Sequence, residues 1–118
     1  MRKTEFFIYL AVMVSLAGFN PLGKIAAEPA SRGGELQMHV DVVNDMNRDF
    51  DDTNVAVFLY DIGEIFYSGE FDLEDNAVEG LTLFWNVPYN IKPGEYIARI
   101  TASNDEFRDV KHVYLRFL

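Results

Sequence analysis

The chain contains no cysteine in 118 residues. Many secreted domains of this size depend on disulfides, so stability here has to come from packing or from a bound ion. No Asn-X-Ser/Thr triplet occurs, which excludes N-linked glycans. Histidine is limited to His39 and His112; both fall in mid-strand on the more polar phase and read as exposed strand residues. They could meet across neighbouring strands, but two histidines without cysteine argue against a transition-metal site. Ser31, Ser68 and Ser103 lack the setting of a nucleophile elbow. Positive charge is scarce too, with 10 Lys and Arg against 19 Asp and Glu and a net charge of −9. Nucleic acid demands the opposite sign, and anionic membranes are disfavoured for the same reason. Cations, basic partners or plain solubility remain.

What is present begins with a targeting pattern. Arg2 and Lys3 precede FFIYLAVMVSLAGF, an apolar run of fourteen residues from Phe6 to Phe19. Asn20, Pro21 and Lys24 break that run, and Ile25-Ala26-Ala27 offers small residues for cleavage. This order predicts a secretory signal peptide over residues 1–27. An uncleaved anchor is the alternative, although a spanning helix needs about 20 apolar residues. Ser15-Leu16-Ala17-Gly18 resembles the start of a lipobox, but Phe19 stands where the lipidated cysteine would be. Cleavage after Ala27 leaves residues 28–118, one domain with 18 acidic and 7 basic residues and a net charge of −11. A flexible leader over 28–34 is expected, then a domain over 35–118.

That domain alternates strand-like runs with turn signals, and no window holds a helical period. In ELQMHVDVV (35–43), Leu36, Met38, Val40 and Val42 point one way while Gln37, His39 and Asp41 point the other. The remaining strands are expected over 54–61, 64–70, 80–87, 95–103 and 109–117, giving an all-β sandwich of about six to seven antiparallel strands. No strand is expected before residue 35.

Ile91-Lys92-Pro93-Gly94-Glu95-Tyr96, followed by Ala98 and Ile100, resembles the turn into strand F of immunoglobulin-like (Ig-like) and fibronectin-III-like domains. The longer stretch LFWNVPYNIKPGEYIARITASNDEFRDVKHVYL is similar to Ig-like domains of secreted or surface proteins of small-genome archaea. The resemblance covers about the last forty residues. It implies a tyrosine corner at Tyr96 and a module used for adhesion, display or assembly, with no catalytic residues. The chain departs from antibody-type domains in lacking both core cysteines.

The stretch NDMNRDFDDTN (44–54) places Asp45, Asn47, Asp49, Asp51 and Asp52 within eight positions. If consecutive strands run antiparallel, this loop shares one end of the sandwich with the connections holding Asp75 and Asp105. Twelve of the 18 acids in residues 28–118 then crowd that pole. Such crowding costs stability at low salt unless something neutralises it. Calcium takes six to eight oxygens from carboxylates and carbonyls. An EF-hand is excluded, because Phe50 replaces its glycine, Ala56 its bidentate glutamate, and helices are missing. Two readings stand: calcium shared by loops carrying Asp45, Asn47, Asp49, Asp51, Asp52, Asp75 and Asp105, or solvated turns whose Asx side chains cap their own backbone.

A separate signal is aromatic. With Val57 and Leu59 inward, Phe58 and Tyr60 point outward, and Phe84, Ile97 and Tyr114 fall on outward phases. Contiguous exposed aromatics mark interfaces, and a sandwich lacking its first strand would leave an edge for a neighbour's strand. The alternative is that these side chains are covered within a monomer. The sequence therefore predicts a secreted, non-enzymatic cell-surface module without a membrane span once the signal is removed. Its partners would be other surface proteins or copies of itself, with calcium-dependent adhesion or sensing as the alternative.

Overall fold

The structure is a computed structural model that describes residues 19–118; residues 1–18, most of the expected signal peptide, lie outside the described residues. Eight strands follow in order: β1 (Leu22–Ala27), β2 (Glu35–Val43), β3 (Phe50–Leu59), β4 (Glu64–Tyr67), β5 (Phe71–Leu73), β6 (Val78–Asn86), β7 (Gly94–Ser103) and β8 (Arg108–Phe117). One sheet runs β1-β2-β6 and the other β4-β3-β7-β8, with β5 added to the start of β3. All these strand pairs are antiparallel. No helix occurs among the described residues, and so none there is long and apolar enough to cross a membrane. This is the Ig-like β-sandwich that the sequence implies.

Alternation builds the core. Leu36, Met38, Val40 and Val42 of β2 and Leu83 of β6 face Val55, Val57 and Leu59 of β3 and Ala98 and Ile100 of β7, all buried. Each such Val, Leu or Ile contributes about 1.5–3 kcal/mol through removal from water. Aromatic rings close the two ends of the sandwich. Phe19, Phe50 and Phe107 form a trio with centroids 5.0–5.1 Å apart at one end. Trp85 packs near Phe66 and Phe117 at the other, and Tyr96 meets Phe117 edge-on at 5.3 Å.

The expected boundaries need correction at the N-terminal side. A strand does precede residue 35: β1 pairs with β2 from Leu22↔Val42 to Ala27↔Met38. Phe19 and Leu22 are buried in the shared core. The domain therefore begins at least sixteen residues earlier than position 35. The apolar and small residues of this segment serve a sandwich edge as well as they would a signal sequence, so composition cannot separate the two uses. Strand β8 grips β1 across the sheets. The Leu22 N–H donates to the Asp109 carboxylate (3.0 Å), and Lys111 Nζ donates to the Leu22 carbonyl (2.6 Å). Asp109 and Lys111, two apart and so on one face of β8, satisfy both polar groups of one peptide residue at the irregularity in β1.

Nor is the 28–34 leader loose. Ala30 bridges to Phe117 in parallel, its N–H donating to Arg116 O and its carbonyl accepting from the Leu118 N–H. Gly33 and Gly34 pair with Val87. The edges for which a neighbour's strand was expected are thus met by the chain's own residues, beside β2 by β1 and beside the end of β8 by Ala30. The backbone at Gly33 has φ +75, and a Cβ there would lie 2.3 Å from the Tyr89 ring.

Strand β3 starts four residues before the expected position 54. Its buried positions are Phe50, Thr53, Val55, Val57 and Leu59, a spacing of three followed by twos. The register against β5 shifts between Phe50 and Thr53, and Asp52 has φ 52. This is a β-bulge: one extra residue keeps Phe50 and Thr53 both inward while Asp51 and Asp52 stay in solvent.

Candidate functional site

Two regions carry the expected functional residues. At the acidic end, the loops after β2, β5 and β7 do meet. The hub is Asn44, which is 1% exposed and was not singled out from the sequence. Its Nδ2 lies within donating distance of the carbonyls of Arg48 (2.6 Å), Leu73 (3.1 Å) and Glu74 (3.1 Å). Its Oδ1 accepts from the Met46 N–H at 3.0 Å. The only sequence sign of this role was an Asn at a strand end, where Asx side chains bond the backbone two residues on.

The predicted ligands are distributed as follows. Asp45, Asn47 and Asp49 are exposed in the β2–β3 loop, with Asn47 at φ 57. Asp49 Oδ1 accepts from the Asp75 N–H at 2.8 Å, tying that loop to the β5–β6 turn. Asp51 and Asp52 belong to β3 rather than to the loop. The Asp51 carbonyl accepts from Asn104 Nδ2 (3.2 Å), and the Asp52 N–H donates to Asp72 (3.3 Å). Asp105 is exposed in the β7–β8 loop, whose turn is capped by Asn104 Oδ1 accepting from Glu106 and Phe107 N–H. Arg48 and Glu106 form an ion pair across two of the loops. Among the described residues, no three or more His, Cys, Asp or Glu side chains are grouped so as to hold a metal ion. The acids share an end of the molecule, and Asp49, Asp72 and Asn104 use side-chain oxygens there to cap backbone N–H groups.

The second region is the outer face of the β4-β3-β7-β8 sheet. Registers across the strands order it into rows. One runs Tyr67, Ala56, Thr101, Val110 and the next Ile65, Phe58, Arg99, His112; Ile97 pairs with Tyr114 beyond, on the side of Tyr60. Within these rows there is no Asp or Glu. Tyr114 is 72% exposed, Tyr67 58%, Ile65 43% and Tyr60 40%. At the centre, the Arg99 guanidinium lies 5.2 Å from the Phe58 ring centroid and 5.6 Å from that of Tyr60. Cation–π attraction holds it there, and its buried Nε has no hydrogen-bond partner. Tyr60 stacks on His112 at 5.9 Å and its hydroxyl lies 3.1 Å from Nε2.

The outward phases expected for Phe58, Tyr60, Ile97 and Tyr114 hold, and these four residues share this face. Phe84, also outward, belongs to the opposite sheet. Arg99, Ile65 and Tyr67 were not singled out from the sequence; only the register places them beside the others. His39 and His112 do not meet, since they lie in different sheets; His39 pairs instead with Thr82 (2.9 Å). A shallow cavity of about 340 Å³ beside His39 is lined by Glu28, Glu35 and the end of β1.

No protein-family model matches the sequence, and no curated protein is similar enough in sequence to match it. Solved structures do resemble the fold. The CARDB domain of a Pyrococcus furiosus protein, solved in complex with di-metal ions, aligns with a TM-score of 0.61 at 17% identity, covering 80% of this chain and 84% of that domain. A family 123 glycoside hydrolase from Clostridium perfringens aligns with a TM-score of 0.56 at 15% identity, over 75% of this chain and 22% of the hydrolase. The alkylpurine DNA glycosylase AlkC of Pseudomonas fluorescens, bound to DNA containing an abasic site analogue, gives 0.58 at 14% identity, over 89% of this chain and 33% of AlkC. The chain thus spans about a fifth of the hydrolase, a third of AlkC and most of the CARDB domain. At such identities the likeness establishes the fold alone.

Proposed function

We propose that the chain is an exported, non-catalytic Ig-like module that associates with protein through the outer face of its β4-β3-β7-β8 sheet. One observation supports this most: on a chain of net charge −9, that face carries three cross-strand rows in which apolar and aromatic side chains surround Thr101, Arg99 and His112 and no carboxylate occurs. Contiguous exposed apolar surface of this kind marks an interaction surface. The first partner to test is a second copy, because an acidic chain can approach itself only where its carboxylates are absent. Two such faces can pack about 10 Å apart with strands at about 30°. Sedimentation of residues 19–118 over a wide concentration range should show a reversible dimer. Tyr114→Asp and Tyr67→Asp, both at exposed positions, should abolish it without moving the melting temperature. A wild-type chain that stays monomeric throughout overturns self-association through this face.

A second reading is ion binding at the acidic end. It is favoured by the meeting of three acidic loops and by the di-metal ions of the similar CARDB domain. It is weakened by the capping work that Asp49 and Asp72 already do. Melting in calcium, in magnesium at matched ionic strength and in EDTA separates the cases. A site filled a hundredfold over its Kd adds about 2.7 kcal/mol, whereas charge screening alone gives equal, small rises with both ions.

A further inference from the structure

We propose that the export signal is removed after Ala17, so that the mature protein starts at Gly18 and keeps Phe19 and β1; this rests on the export reading above. The folded domain dictates where a cut can fall. Phe19 is 4% exposed, stacked on Phe50 and edge-on to Phe107. Leu22 is 2% exposed, and its N–H and carbonyl are both held by β8. The Val43 N–H donates to the Pro21 carbonyl at 2.8 Å. A cut after Ala27 would remove all of β1, strip one strand from a three-stranded sheet and open the aromatic trio that closes the acidic end.

The sequence supplies a better site just ahead of Phe19. Signal cleavage prefers small side chains at the last and third-last residues of the signal. Ser15-Leu16-Ala17 has them, whereas Ile25-Ala26-Ala27 places a branched isoleucine at the third-last position. Cutting after Ala17 leaves Arg2 and Lys3 as the positive region and Phe6–Val14 as nine apolar residues, within the 7–15 typical of such signals. The apolar run that reads as one segment of fourteen is thereby divided: its last residue, Phe19, belongs to the core. Hydrolysis of the Ala17–Gly18 bond consumes one water, leaving a carboxylate on Ala17 and an ammonium on Gly18. Because Phe19 is buried two residues beyond the cut, a signal peptidase would act before the domain closes over it.

Expression of the full chain in a secreting host, with N-terminal sequencing and intact mass of the extracellular product, tests this directly. A mature N-terminus at Gly18 is expected, with Ala17→Leu accumulating uncut precursor. A product starting at Glu28, or an Ala17→Leu variant processed as fast as wild type, overturns the inference while leaving export intact. An uncut chain held at the membrane overturns it in favour of an anchor. An uncut chain confined to the cytoplasm overturns the export reading itself, and the inference with it.

Discussion

The hydroxyl of Tyr96 donates a 2.6 Å hydrogen bond to the carbonyl of Lys92, across the Pro93-Gly94 turn that opens β7. The same ring packs edge-on against Phe117, so one side chain fastens the turn and closes one end of the core. Tyr96→Phe keeps the ring contact and deletes only the hydroxyl. We expect a loss of about 1 kcal/mol in urea unfolding, the usual net value of such a bond, with an unchanged denaturant slope. No change in the midpoint would mean that the corner is decorative.

At the opposite end, Asn44 plays the corresponding part for the acidic loops. Asn44→Asp keeps the volume but replaces an amide donor by an oxygen facing the Leu73, Glu74 and Arg48 carbonyls. Stranding buried acceptors costs about 1–3 kcal/mol. Because the substitution also adds a charge to an acidic end, the loss should sit at the top of that range at neutral pH. It should shrink as pH falls from neutrality toward the ordinary carboxylate range, because burial against three carbonyls makes the new side chain take up its proton above that range. A loss independent of pH would place the damage in packing instead.

Thr53 presents the reverse case. It is fully buried beside the β3 bulge, and its Oγ1 has no hydrogen-bond partner. Thr53→Val exchanges an unsatisfied hydroxyl for a methyl of similar shape. Stability should rise by about 1 kcal/mol, since a buried polar group without a bond is penalised by that order. A fall would show that the hydroxyl reaches a water in solution.

These residues also show how far the sequence is legible. Strand β2 occupies the residues its alternation predicts, and β6, β7 and β8 lie within two residues of the expected limits, because period two is written directly into their side chains. The tyrosine corner was legible through the resemblance of Ile91–Tyr96 to the turn into strand F of Ig-like domains, and the Tyr96–Lys92 bond matches it. By contrast, the bulge breaks the alternation at Asp51 and Asp52, so the first four residues of β3 read as loop. Strand β5 is three residues long and carries no period to read. The gathering of acidic loops followed from counting antiparallel strands, whereas the role of Asn44 as their fastener needs coordinates. The aromatic face was half legible: phase gives outwardness, but only register reveals that Arg99 sits between Phe58 and Tyr60.

Phe19 marks the deepest ambiguity, since an apolar residue ending an apolar run suits a signal segment and a core equally. Its burial makes a sharp prediction. Phe19→Ala removes a ring that contacts both Phe50 and Phe107, and large-to-small changes of this kind cost about 3–5 kcal/mol. Removing residues 19–27 altogether adds the loss of Leu22, worth about 2–5 kcal/mol, and exposes the β2 edge. Domains are stable by only about 5–15 kcal/mol, so a chain starting at Glu28 should show no cooperative thermal transition, while one starting at Gly18 melts sharply. Calorimetry of the two chains and of Phe19→Ala in the longer one decides the matter. Equal melting of both chains would mean that β1 is dispensable and that the sandwich stands on the remaining strands.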